Sequence, residues 1–147
     1  MIRVLGLIAA LWVSAGPAWS QARAFVAVEA ADVEVSTAWY AQTFEARLVN
    51  TISRPAFEAR VLESADLIIE VLQRTPPMPP RPAQSQGLFK SGVVVDDLDS
   101  RMARWTAEGV RMRGERFHDP ALNLDAILLL DPDGNRIQVF GPPATDR

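Results

Sequence analysis

The chain has 147 residues, 48% apolar and 22% charged, which is enough for one packed domain and too few for two of ordinary size. Its net charge of −3 provides no electrostatic footprint for nucleic acid or an anionic membrane surface. It has no cysteine, which excludes disulfides, thiol nucleophiles, Cys-ligated zinc and iron–sulfur clusters.

In chain order, residues 1–22 come first and read unlike the rest. Met1-Ile2-Arg3 makes a short positive start and Val4–Val13 is an uninterrupted apolar run. Gly16-Pro17 breaks that run, and Ala18-Trp19-Ser20 sets small residues two apart. This order predicts a secretory signal peptide, cleaved after Ser20 or after Ala22, and hence a periplasmic or extracellular protein. The alternative is a retained membrane anchor, since nothing from Val4 to Ala22 is charged. A spanning helix needs about 20 apolar residues, however, and Gly16-Pro17 interrupts this stretch early. Once the signal is removed, no membrane association is expected.

Residues 23–147 read as one domain in two halves, 24–73 and 87–142, separated by a joint at 74–86 that holds five prolines and should be extended. In the first half, Phe25–Ala30 is a strand pattern, Asp32 a helix cap and Val33–Phe44 a helix. Strand patterns follow at Ala46–Asn50, Ala56–Leu62 and Leu67–Gln73. In the second half, Ser91–Val95 is a β-branched strand, Asp97 a cap, and Leu98–Glu108 a helix stopped by Gly109. Further strands are expected at Val110–Arg116, Leu122–Leu130 and Arg136–Phe140, with Asp131-Pro132-Asp133-Gly134 as a tight turn before the last.

A shift of 65 residues superposes Val28 on Val93, Asp32 on Asp97, Ala38 on Ala103 and Tyr40 on Trp105. Leu98, Met102 and Trp105 fall at helical spacing and should face the core, and the superposition selects Tyr40 over Trp39 as the inward ring. The internal repeat predicts an α+β domain, βαβββ twice, with a curled, cup-like mixed sheet and the helices outside.

Few residues announce chemistry. His118 is the only histidine, which rules out a multi-histidine metal site; it is a candidate general base or else a loop residue. Arg111, Arg113 and Arg116 recur along one strand and face either an anion or solvent. Asp96-Asp97 reads as an exposed flank and a cap. Glycine-rich phosphate loops and zinc-type HExxH motifs are missing.

Three stretches carry a family likeness: VEAADVEVSTAWY at Val28–Tyr40, GVVVDDLDSRMARW at Gly92–Trp105, and LDPDGNRIQVF at Leu130–Phe140. In that order, with Asp131 of the DPDGN turn 34 residues after Asp97 of VDDLD, they resemble the vicinal oxygen chelate superfamily of glyoxalases, bleomycin-resistance proteins and extradiol dioxygenases. The resemblance implies a cup in which the first and last strands of each half hold a divalent metal acting as a Lewis acid. The four ligand-equivalent positions are Phe25, Glu70, Lys90 and Gln138. Only Glu70 and Gln138 offer an oxygen, so no complete metal site and no cofactor are expected, although a divalent metal stays open. Lys90 is expected to pair with Glu70 where relatives place the metal.

The signal-like segment and the resemblance together imply an exported protein that binds a small molecule in its cup. Phe25, Phe89 and Phe140 would form the apolar wall, and Glu70, Lys90, Gln138 or His118 would orient a polar group. The alternative is a divalent-metal-dependent lyase, isomerase or dioxygenase using Glu70, Gln138 and His118 with water, with Glu70 and His118 as catalytic candidates. A third reading is an interaction module with the cup packed shut. Half-repeats of this kind also allow a homodimer. Expression with export should yield a mature protein whose intact mass starts at Gln21 or Arg23. A mass that retains Met1 would point to the anchor.

Overall fold

The computed structural model describes residues 24–77, 79 and 88–144; the signal-like segment at 1–22 and most of the proline-rich joint lie outside the described residues. The first half contains β1 (Ala24–Glu29), α1 (Val33–Thr43), β2 (Arg47–Arg54), β3 (Phe57–Glu63) and β4 (Leu67–Arg74). The second contains β5 (Ser91–Val94), α2 (Leu98–Glu108), β6 (Met112–Asp119), β7 (Leu124–Leu130) and β8 (Arg136–Gly141). Each half forms a four-stranded mixed sheet, in the orders β1-β4-β3-β2 and β5-β8-β7-β6. The first strand of each half runs parallel to its last, and the other pairs are antiparallel. The two sheets do not close into one.

Alternation along the strands sorts side chains between two faces. Leu67, Ile69 and Val71 of β4 and Ile137 and Val139 of β8 are buried on the face that carries the helices. Val33, Ser36, Tyr40 and Thr43 of α1 and Leu98, Arg101 and Trp105 of α2 are buried against it. Tyr40 is the inward ring at 1% exposure, and Trp39 stands edge-on to it with ring centroids 4.8 Å apart.

Two expectations need correction. Asp32 caps α1, accepting from Glu34 N at 2.9 Å and Val35 N at 3.1 Å. Asp97 occupies the corresponding position before α2 but caps nothing with its side chain. Its carboxylate accepts from Arg101 Nε at 2.6 Å, because a guanidinium one turn along competes with the first-turn amides. The edge strands are also displaced. β2 runs on to Arg54 past an irregularity between Leu48 and Asn50, and β6 runs from Met112 to Asp119 past another between Arg113 and Phe117. Each bulge restores pairing beyond the point where plain alternation ends.

The halves are joined by reciprocal contacts between the turn before the last strand of each half and the helix of the other. Asp66, in the β3–β4 turn, lies 2.9 Å from the Arg101 guanidinium of α2. Asp131, in the β7–β8 turn, accepts from Tyr40 Oη of α1 at 2.9 Å. Asp133 accepts from Ser36 Oγ at 2.8 Å and from Ala31 N at 3.0 Å. The helices meet where Trp105 Nε1 donates to Thr43 O at 2.9 Å. Asp131, 1% exposed, also ties its own turn by accepting from Asp133 N, Asn135 N and Asn135 Nδ2, with Gly134 at a φ of 84° that only glycine adopts without strain.

Burial above all, then the Asp131 and Asp133 carboxylates and the hydrogen bond to Asp131, push the Tyr40 phenol well above its usual 10.0. Below that value both the folded and the unfolded chain hold the proton, and stability does not depend on it. Above about pH 10 only the unfolded chain releases it, so stability should fall by about 1.4 kcal/mol per pH unit. Because Tyr40 is the only tyrosine, its tyrosinate absorbance should stay silent at high pH until the fold is lost. Tyr40→Phe should remove this contribution to the alkaline slope in denaturant titrations.

Candidate functional site

The face opposite the helices carries the ligand-equivalent positions. On the first sheet Phe25 stands beside Ile68 and Ala27 beside Glu70, which puts Phe25 and Glu70 on one side. On the second, Gly92 is paired with Gln138 and Val94 with Phe140. Four central strands, β4, β1, β5 and β8, therefore present Glu70, Phe25, Lys90 and Gln138 from one open face. β1 and β5 are both sheet edges, and between them lies a largely apolar cavity of about 200 Å³. Phe25 and Gly92 belong both to its wall and to the open face; Tyr40, Phe44, Leu67 and Ile137 line it from the helix side.

Lys90 Nζ donates to Gln138 Oε1, and among the described residues Glu70 has no ion-pair partner. The expected Lys90–Glu70 pair is thus replaced by an ammonium–amide pair within one sheet. Parallel pairing of β5 with β8 brings Lys90 to its own sheet neighbour, whereas Glu70 belongs to the other sheet. Gln138 is 3% exposed and Lys90 is exposed. The Arg136 guanidinium sits 4.5 Å from the centre of the Phe89 ring, a cation–π contact. Phe140 closes over Gly92: a Cβ there would lie 3.1 Å from Gln138 O and 3.6 Å from Phe140 Cε2.

His118 is not brought to this group. It pairs with Asp125, which pairs with Gly141, and Gly141 packs against Leu98 of α2. The ring therefore lies on the helix side of the sheet, with Nδ1 2.9 Å from Oδ1 of the fully buried Asp125. Oδ2 of the same carboxylate accepts from Arg116 Nε at 2.7 Å and Ala144 N at 3.2 Å. Arg116 is thus engaged structurally; Arg111, opposite Leu130, and Arg113, opposite Leu128, stand on the open face, where Arg111 donates to Asp131 O. Arg136, Gly92 and Val94 join the site without having been singled out. Counting by twos from Lys90 and Gln138 along their strands would have found them.

The sequence pattern of the Glyoxalase/Bleomycin resistance protein/Dioxygenase superfamily matches residues 24–139. The chain belongs to that superfamily. Among solved structures, the superfamily fold recurs in SMU.1112c, 20% identical with a TM-score of 0.70, where the match covers 82% of this chain and 98% of that one. It recurs in a glyoxalase family protein from Enterococcus faecalis, at 17% identity, a TM-score of 0.69 and the same coverage. A lactoylglutathione lyase from Agrobacterium tumefaciens matches at 16% identity and a TM-score of 0.60, over 82% of this chain and 93% of that one. At these identities the likeness is one of fold. No curated protein matches the chain in sequence.

Phe25, 60% exposed, contributes little to this superfamily fold, whereas Trp105 is fully buried. Phe25→Ser should change unfolding free energy by no more than about 0.5 kcal/mol in urea titrations. Trp105→Ala should cost about 3–5 kcal/mol in the same measurement.

Proposed function

We propose that this protein is an exported member of the superfamily that binds a small molecule in its cup without a metal. The observation that carries this reading is the Lys90–Gln138 pair, standing where the superfamily often holds a divalent metal. An ammonium has no lone pair and repels a cation, and here it also takes up the amide oxygen that would coordinate. Phe25 has no donor atom. Glu70 alone is left, and metal sites with catalytic roles use about three protein ligands. Among the described residues no three His, Cys, Asp or Glu side chains come together. The residues present therefore do not fit a divalent metal.

The same face fits an organic ligand. Phe25 at 60% exposure and Val94 at 59% leave apolar surface uncovered beside the seam cavity. Gln138, Lys90, Glu70 and Arg136 place a few polar groups around it, the arrangement of a small-molecule site.

Two measurements test the reading. Elemental analysis after gentle purification, with Ni, Zn, Mn, Fe, Co and Mg added back, should find no divalent metal above background. Close to one equivalent, lost on Glu70→Ala, would overturn it in favour of a metal-dependent enzyme. A screen of charged and neutral aromatic fragments by ligand-observed NMR should give binders that Phe25→Ser weakens at least tenfold. A screen without binders would sink the binding reading.

A further inference from the structure

We propose that the ligand is a small organic monoanion, a single aryl or short apolar body bearing a carboxylate, with the carboxylate held by Lys90 and Arg136. This rests on the binding reading above and names its ligand class. Six arginines of the described chain are met by carboxylates: Arg47 by Glu63, Arg74 by Glu29, Arg104 by Glu45, and Arg60, Arg101 and Arg116 by two each. Arg54, Arg111, Arg113, Arg136 and Lys90 are exceptions, and of these Lys90 and Arg136 adjoin the lining of the seam cavity. One is hydrogen-bonded to a neutral amide and the other rests on an aromatic ring. Lys90 is also the only lysine in a chain with 14 arginines.

Lys90 and Arg136 are close. Arg136 and Gln138 project from the same face of β8, two residues and so about 7 Å apart. Lys90 bonds to Gln138, and the Gln138 side-chain NH2 has no partner among the described residues. An ammonium, an amide and a guanidinium thus present a row of donors without an anion. A carboxylate would satisfy them with charge-assisted hydrogen bonds, and the planar guanidinium suits its two oxygens.

The seam cavity sets the size of the body. Its volume is about 200 Å³; a cavity of about 150 Å³ accepts benzene, so one ring and a short chain fit. Its lining residues Ser91 and Ile137 are the chain neighbours of Lys90 and Arg136, so head and body can be reached together. Glu70 faces the same side without an ion-pair partner and disfavours a second negative group on the ligand.

The test is calorimetric titration of the purified protein with phenylacetate and with its neutral isostere phenylacetamide, on wild type, Lys90→Met and Arg136→Met. Circular dichroism serves as the fold control. Phenylacetate should bind at least tenfold more tightly than the amide, and each substitution should remove most of that preference. Equal binding of acid and amide, or a preference untouched by both substitutions, overturns the anion inference and leaves the cup as a site for neutral ligands. Binding of neither compound also overturns it, and the fragment screen then decides the binding reading separately.

Discussion

The buried Asp131 carboxylate is the constraint on which the rest depends. It organises its own turn through two backbone amides and the Asn135 side chain, and with its remaining capacity it takes the Tyr40 hydroxyl from the opposite half. A carboxylate withdrawn from water is tolerable only when its lone pairs are filled, and here each filled position does structural work at the seam. At the corresponding place in the first half, Asp66 meets the Arg101 guanidinium instead. The repeat has kept the acid in each turn and changed the donor it finds on the other helix, a phenol on one side and a guanidinium on the other. With α1 and α2 fixed in this way, β1 and β5 are set edge to edge, and the space between them becomes the seam cavity.

The open face follows from that placement. A strand has only two sides, and the helices cover one of them. Everything at even positions of β4, β5 and β8 that might have become core is left as a working surface, with Phe25 and Val94 uncovered and Gln138 buried among neighbours. The absence of a side chain at Gly92 keeps the backbones of β5 and β8 close and makes room for the Phe140 ring. Polar and apolar groups therefore alternate at short range on a rigid support, so a ligand would meet a preorganised set of contacts rather than a mobile loop.

Much of this was legible from residues alone because it rests on periodicity. The strand–cap–helix order, the αL stop at Gly109, the buried faces around Tyr40 and Trp105 and the turn at Asp131–Gly134 are short-range matters, and the superposition of the halves reinforced each one. Facts about partners were not legible. Asp97 looks like the equal of Asp32, yet the arginine four residues on claims its carboxylate. Lys90 and Glu70 are opposite charges at equivalent positions, but the pairing that forms is decided by which strand lies alongside, and that is Gln138's. His118 attracts notice as the only imidazole. One bulge in β6 decides which side of the sheet it faces, and nothing in the local sequence marks a bulge beyond Gly114 and its positive φ.

The contacts across the seam have a consequence for assembly. Asp66–Arg101, Asp131–Tyr40, Asp133–Ser36 and Trp105–Thr43 each link one half-repeat to the other, and the proline-rich joint takes part in none of them. Two halves drawn from two chains would offer the same donors and acceptors as two halves of one. The choice is then one of effective concentration, set by the length and stiffness of the connector between β4 and β5. A shorter joint would favour the exchange of halves between neighbouring molecules, and a longer one closure within a single molecule.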